Sequence, residues 1–338
     1  MHEQTSTIEP KPSAKGRQAT VVVCAFASRR LEQTVECVRS VLSQDPPPGQ
    51  IVVVVDHNES LQAELRARLP DEVEIVPNEQ ARGLSSARNT AIARSRGDYI
   101  VFIDDDAIAH EHWLERLLAT FDDPAVVGAG GHAVPLWEIP QPGWLPPEFL
   151  WVVGCSYSGL PESGAVRNPL GCNMAFRAEL FQRVGMFNPA IGRLGSLPLG
   201  CEETEFCVRA VREMPDARIV LVAGAEIDHH VPAARGRASY LLQRCYFEGI
   251  SKALVRRLGD AGSLGTERTY LRRALPARLG ASARRAARGD GVFDALGQFG
   301  AVIGAVAAAA AGYLVGLIVF RLRPPPVLAA PPADTARA

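Results

Sequence analysis

Three consecutive acids, Asp104-Asp105-Asp106, close the apolar run Tyr99-Ile100-Val101-Phe102-Ile103. A short run of that kind reads as a buried parallel strand, and carboxylates at its end project where open α/β sheets bind ligands. Adjacent carboxylates repel unless a cation offsets them, so the chemistry they suit is a divalent metal holding a phosphorylated substrate. Taken alone, a solvated turn or a helix cap accounts for the triplet as well, because Asp is common in both.

Four other stretches could add to that chemistry. Asp56 ends a second apolar run, Ile51-Val52-Val53-Val54-Val55. An acceptor at such an edge can bind the N–H of a uracil-like base; the plainer reading is a turn aspartate ahead of Asn58. Arg82-Gly83-Leu84-Ser85-Ser86-Ala87-Arg88-Asn89 runs a glycine turn into a helix with Ser85 as its N-cap. A helix start beside two arginines favours an anion such as a diphosphate, or is simply solvated surface. Glu202 and Glu203 open a later helix, where dipole pairing alone would explain two acids. Asp228-His229-His230 supplies an imidazole, either a half-buried structural histidine or a ligand better suited to Mn²⁺ than to Mg²⁺.

The elements that must position these residues follow from periodicity. Residues 19–26, 51–56, 73–76, 99–103 and, more weakly, 126–129 read as strands; 31–43, 61–69, 85–96 and 111–121 show helical spacing. That alternation predicts an α/β fold with a mainly parallel twisted sheet and helices on both faces. Residues 135–169, dense in Pro, Gly and aromatics, read as a long functional loop. A strand at 173–176, helices at 178–184 and 203–213, and strands at 218–222 and 226–229 complete the unit. Gln243-Arg244-Cys245-Tyr246 reads as the lead into a helix through Gly249-Ile250-Ser251-Lys252, its basic residue suited to a diphosphate or an anionic lipid head group. No GxGxxG follows the first strand and no Walker A pattern occurs, which argues against dinucleotide enzymes and P-loop NTPases.

Composition sets the context. The chain has 338 residues, 47% of them hydrophobic, enough for one large core or two modest ones. Its seven cysteines are odd in number and form no CxxC pair, so they read as free thiols in a reducing compartment. Residues 1–18 are polar with no apolar core, which predicts a disordered arm and not a signal peptide. The net charge of −1 conceals a basic stretch: residues 232–290 carry 13 Lys/Arg against 4 Asp/Glu. Such a stretch suits nucleic acid or an anionic membrane. Residues 297–320, almost purely apolar with Gln298 the one strongly polar side chain, decide for the membrane and against nucleic acid. At about 1.5 Å per residue they can cross a hydrocarbon core of roughly 30 Å. The expected organisation is therefore an arm (1–18), a catalytic domain (19–255), a basic membrane-proximal helical segment (256–296), a transmembrane helix (297–320) and a disordered Pro-rich tail (321–338). Arginine density ahead of the span puts the catalytic domain on the cytoplasmic side of the cell membrane.

The motifs Val21-Val22-Val23-Cys24-Ala25-Phe26, Val53-Val54-Val55-Asp56-His57-Asn58, Arg82 to Asn89, Ile103-Asp104-Asp105-Asp106 and Gly200-Cys201-Glu202-Glu203-Thr204-Glu205 stand in the order found in the family 2 glycosyltransferases. The chain resembles that family over residues 19–255. The resemblance implies the GT-A fold and an inverting, metal-dependent transfer from a nucleotide sugar. It gives Ala25, Asp56, Arg82, Gly83, Arg88, Asn89, Asp104 and Asp105 to the donor, Asp106 with His229 to Mg²⁺ or Mn²⁺, and the general base to Glu203, with Glu202 as the other choice. Arg244 would hold a phosphate of donor or acceptor. His57 and Asn58 depart from the commoner pattern of a second Asp followed by small polar residues. The motifs around Asp56 and Glu203 look like the branch with lipid-linked hexuronic-acid transferases, so the expected acceptor is a lipid-linked or other saccharide. Sugar-phosphate nucleotidyl transfer would need a glycine-rich loop where Ala27-Ser28-Arg29-Arg30 stands. An idle nucleotide-sugar-binding scaffold would have no reason to keep clustered carboxylates.

Overall fold

The computed structural model describes residues 18–192, 199–258 and 265–322. The expected arm at 1–18 and tail at 321–338 lie almost wholly outside the described residues. Four strands open the chain: β1 (Ala19–Ala25), β2 (Gln50–Val55), β3 (Val73–Pro77) and β4 (Tyr99–Asp104). They pair in parallel in the order β3-β2-β1-β4. Helices α1 (Leu31–Leu42), α2 (Glu59–Arg68) and α3 (Leu84–Arg94) connect them. Both faces are covered: Val21 and Val23 enter one core with α1 and α2, whereas Val22 enters a second with α3, the two-sided burial that a continuous apolar run predicts.

Beyond β4 the sheet becomes mixed. A three-residue strand β5 (Ala107–Ala109) follows the acidic triplet, then α4 (Trp113–Ala119), β6 (Val126–Trp137), β7 (Gly164–Ala165), β8 (Asn173–Arg177), α5 (Ala178–Val184), α6 (Glu202–Glu213) and β9 (Arg218–Val231). β8 lies antiparallel between β4 and β6, and β9 runs parallel to β6. The two expected terminal strands are one strand, β9. Its register against β6 jumps from Gly130↔Leu221 to His132↔Glu226, so the expected interruption survives as a bulge. Gly131 allows the close approach there, since a Cβ at that position would lie 1.6 Å from the Ala225 carbonyl oxygen. Asn173 fills the gap. Its Nδ2 donates to the carbonyls of His132 and Ala225, each at 3.0 Å, and its Oδ1 accepts from Trp113 Nε1 at 2.9 Å.

The expected loop at 135–169 is more ordered than its composition suggested. β6 extends into it, a 3₁₀ helix occupies Pro147–Val153, and β7 pairs with β9. Its aromatics explain this: Phe149 is buried, and Trp137, Trp144, Trp151 and Tyr157 pack with it in a third apolar cluster. The other side of that cluster comes from α7 (Ala238–Leu258), α9 (Leu275–Arg288) and α10 (Val292–Leu322), with α8 (Gly265–Thr269) and a π-helical turn (Tyr270–Ala274) preceding α9. Because α7 begins at Ala238, Arg244 lies inside it and not ahead of it. All seven cysteines are free thiols, six of them buried.

Asn173→Ala should strip partners from two buried carbonyls and an indole N–H, at about 3 kcal/mol. Denaturant unfolding of the full chain in detergent measures this; a loss under about 1 kcal/mol would show that water or relaxation replaces the amide.

Candidate active site

Strand register assembles the site. Cys24 of β1 lies opposite Asp104 of β4, and Ala25 lies opposite Val55 of β2, so Asp56 and the acidic triplet emerge at one edge of the sheet. A cleft of about 420 Å³ opens there, lined by Ala25, Arg30, Asp56, Arg82, Asp104 and Asp105 among others. Asp56 is held in place: Asn78 Nδ2 donates to its Oδ1 at 2.7 Å and the Gly83 N–H to its Oδ2 at 3.0 Å. Gly83, with φ of 139°, sits just ahead of α3, a conformation that favours glycine. Asn58 is structural, capping α2 through the Leu61 N–H and donating to the Phe26 carbonyl and Ser28 Oγ.

The glycine-turn motif divides between cleft and interior. Arg82 lines the cleft. Ser85 does not cap α3 as expected; its hydroxyl donates to the Ile191 carbonyl at 2.6 Å. Asn89 is buried and exchanges hydrogen bonds with the backbone of Phe187. Arg88, also buried, pairs with Glu202 Oε1 at 2.8 Å, donates to the Gly171 carbonyl at 2.8 Å and stands 3.7 Å from Asp104 Oδ1. Phe102 and Phe187 flank it at 5.7 and 5.6 Å. Arg88 and Asn89, expected at the donor, are thus buried and bonded to Glu202, Gly171 and Phe187.

In the triplet, Asp104 is partly exposed while Asp105 and Asp106 are buried. Arg30, which no motif singled out, reaches both buried acids, Nη1 to Asp105 Oδ1 at 2.6 Å and Nη2 to Asp106 Oδ2 at 2.7 Å. Burial still pushes the Asp105 carboxyl up to about 7, against the pull of Arg30. Ligand atoms of Asp104, Asp106 and His229 lie within 4.8 Å of one another. Burial lowers the His229 pKa, with Asp106 opposing, so the ring is neutral at pH 7 and has a lone pair to give. Two carboxylates and a neutral imidazole are a donor set that fits a divalent cation. Arg235, a second residue not foreseen, approaches Asp106 at 3.8 Å.

Glu202 and Glu203 begin α6, preceded by Cys201 in the left-handed region (φ 74°), uncommon for a residue with a side chain. Glu202 is committed to Arg88. Glu203 is half-buried and accepts from Thr204 Oγ1 at 3.0 Å. Burial first, and then the neighbouring Glu202 charge, raises its pKa to about 7, with Lys252 opposing. A Cβ built on Gly171 would meet Arg88, Glu203 and Glu202 side-chain atoms at 3.6, 3.7 and 3.8 Å, so all three converge on one backbone position. Behind them, on α7, Glu248 accepts from Cys201 Sγ at 3.3 Å and pairs with Arg244 at 3.0 Å and Lys252 at 3.1 Å; Lys252 also pairs with Glu267 at 2.9 Å. Burial acts to raise the Glu248 pKa, but the Lys252 and Arg244 charges hold it down to about 2. Spacing of four along α7 was the available signal for that network, masked by the apolar residues between.

The chain is similar to several known proteins. The chain is 33% identical over 242 residues to the glucosyl-dolichyl phosphate glucuronosyltransferase of Haloferax volcanii, covering 70% of this chain and 77% of that one. A succinoglycan biosynthesis protein of Rhizobium meliloti is 25% identical over 237 residues, 67% of this chain and 71% of that protein. A mannosyltransferase of Pyrobaculum calidifontis, solved with GDP-Man and Mn²⁺, aligns with a TM-score of 0.56 at 21% identity over 94% of this chain and 91% of its own, which shows a shared fold. The family model for glycosyl transferase family 2 matches residues 20–185. With that match and the extent shared with the Haloferax enzyme, the chain belongs to glycosyl transferase family 2.

Proposed function

We propose that residues 19–255 move a sugar from a UDP-sugar to a hydroxyl of a lipid-linked saccharide, with inversion and with Glu203 as the general base. The observation that carries this reading is Arg88, which joins Glu202 and Asp104 and so holds the start of α6 beside the strand-end acids. Glu202 serves there as counter-ion. Glu203, with a pKa near neutrality, can take the acceptor's proton as its oxygen attacks the anomeric carbon and the nucleoside diphosphate departs from the opposite side. Asp56, its carboxylate oriented by Asn78 and Gly83, is the acceptor for a base N–H. Asp104, Asp106 and His229 would hold the cation, and the imidazole favours Mn²⁺ over Mg²⁺. Such a cation supplies neutralisation of the charge that develops on the leaving diphosphate.

Support for the acceptor comes from the similarity to an enzyme named for glucosyl-dolichyl phosphate, and UDP-glucuronate is the first donor to test. Among the described residues α10 is the one helix long and apolar enough to cross a membrane. Together with the arginines ahead of it, which the anionic cytoplasmic leaflet attracts, that supports a location at the cytoplasmic face of the cell membrane. Arg244, which pairs with Glu248 beside Gly200 and lies over the Trp151 ring at 6.0 Å, is our candidate for an acceptor phosphate.

Glu203→Gln should lower kcat by about 10²–10⁴-fold while UDP binding by calorimetry stays unchanged; full activity would move the base elsewhere. Glu202→Gln should act differently, destabilising the fold by about 3 kcal/mol by leaving Arg88 buried without its partner. A base must be ionised to work, so kcat/KM should rise with pH through about 7 and fall below it as Glu203 gains a proton, facing Glu202, Lys252 and Glu248. A profile flat from pH 5 to 8 would exclude Glu203 as the base. His229→Ala should weaken Mn²⁺ binding, read by calorimetry, by at least about tenfold.

A further inference from the structure

The buried positions of α10 form a narrow stripe: Ala295, Gln298, Val302, Ala305, Gly312 and Gly316. Their spacing of three, four and seven marks one seam of the helix, and the seam is clasped over its length by the globular domain. Near the start, Gln298 Nε2 donates to the Gly143 carbonyl at 2.8 Å, and a Cβ on Gly297 would lie 2.7 Å from Trp144. Farther along, a Cβ on Gly312 would lie 1.8 Å from the Tyr246 carbonyl oxygen, and one on Gly249 would lie 2.1 Å from that of Ala309. Small residues let the α7 and α10 backbones nearly touch. From Gly297 to Gly316 the contact runs for about 30 Å at the helical rise.

That contact constrains how α10 can meet a lipid bilayer. If residues 297–320 crossed the membrane, Tyr313 would lie only about 7 Å from the midplane, well inside the hydrocarbon. Arg256 of α7 donates to the Tyr313 hydroxyl at 2.7 Å, so its guanidinium would be held there too, with Arg257 beside it. The opposite flank of α7 carries Glu248 and Lys252 against Cys201 and would follow. A crossing α10 would thus draw the catalytic loop and its buried ion network into lipid, at high cost.

The outer face of α10 nevertheless needs an apolar partner. Leu296, Phe299, Ile303, Leu314, Ile318 and Leu322 are 41–76% exposed. Arg272 and Arg273 in the π-helical turn, and Arg284 and Arg288 on α9, which packs against α10, are exposed and make the elements leading into it basic. An apolar strip joined to exposed basic helices complements the acyl and head-group layers of an anionic leaflet.

We propose that α10 lies in the plane of an anionic leaflet, sunk by about its own diameter of roughly 10 Å, and does not cross it. The chain's C-terminus then stays on the side of the catalytic cleft. This replaces the single crossing expected from composition and deepens the membrane location proposed above. It is independent of donor, acceptor and base, so a failure here leaves the transferase reading intact.

Sidedness tests it directly. The full chain with a C-terminal epitope is reconstituted into sealed vesicles of phosphatidylcholine with phosphatidylglycerol and treated with protease from outside. The expected result is that epitope and catalytic domain are digested together or protected together. An epitope protected wherever the domain is digested would show a crossing and overturn the proposal. The double variant Ile303→Glu/Ile318→Glu should lower vesicle binding by roughly tenfold or more, with circular dichroism unchanged. Unchanged vesicle binding with conversion of a dimer to a monomer would assign the face to a second copy and would also overturn it. Should the double variant not fold, wild-type sidedness decides alone.

Discussion

Five carboxylates crowd the end of β4 and the start of α6, and the arginines threaded among them are the constraint on which the rest of the structure depends. Arg88 serves Glu202 and approaches Asp104; Arg30 serves Asp105 and Asp106. A guanidinium can do this because its planar fork presents several donors at once, which a lysine ammonium on a flexible stem does not. The Phe102 and Phe187 rings beside Arg88 add a face-on partner for the cation while excluding water. Burying such pairs contributes little net stability, but losing one member leaves a buried charge unmatched. The site and the packing of α3, β4 and α6 therefore stand or fall together.

That arrangement also makes two adjacent glutamates unequal. Glu202 has a cation at 2.8 Å, whereas Glu203 has a hydroxyl donor and a like charge beside it. One is the counter-ion of Arg88; the other is pushed, first by burial and then by the Glu202 charge, to about 7, where it can exchange a proton. Opposing electrostatics on side chains one residue apart is how one helix start can brace a fold and supply a base. The αL backbone at Cys201 sets the direction of both, and Glu248 on α7 holds Cys201 through its thiol.

Much of this was legible in the amino-acid order because strand ends are local signals. The runs ending at Asp56 and Asp104 predicted two buried parallel strands and the sheet edge where the cleft lies. What was not legible involves partners distant in the chain. Nothing in Arg88 reveals that its charge turns inward to a glutamate 114 residues away, and Arg30 reads as a surface residue until α1 folds it over the triplet. The aromatics of 135–169 looked like a loop because their apolar partners, on α7 and α10, come much later. The break between the last two strands was real, yet Asn173 stitches it into a bulge, an outcome that depends on a side chain from another strand. Composition likewise showed α10 to be apolar but not that a stripe of small residues binds it to the domain.

Helix α7 ties the segment ahead of Glu202 and Glu203 to α10. Its one flank, with Arg244, Glu248, Ser251 and Lys252, meets Gly200 and Cys201 just ahead of the two glutamates. Its other flank, through Tyr246, Gly249, Ile250 and Ala253, meets α10 without room for a larger side chain at the glycines. A rigid helix gripped on both sides transmits position: whatever fixes α10 also fixes the height and angle of the segment ahead of Glu202 and Glu203. For the lipid-linked acceptor and the Glu203 base proposed above, this matters more than affinity, since a hydroxyl near a lipid surface reaches that base only if it is held at a set distance. The ion network on α7 supplies that rigidity from the catalytic side, and the close backbone packing supplies it from the other.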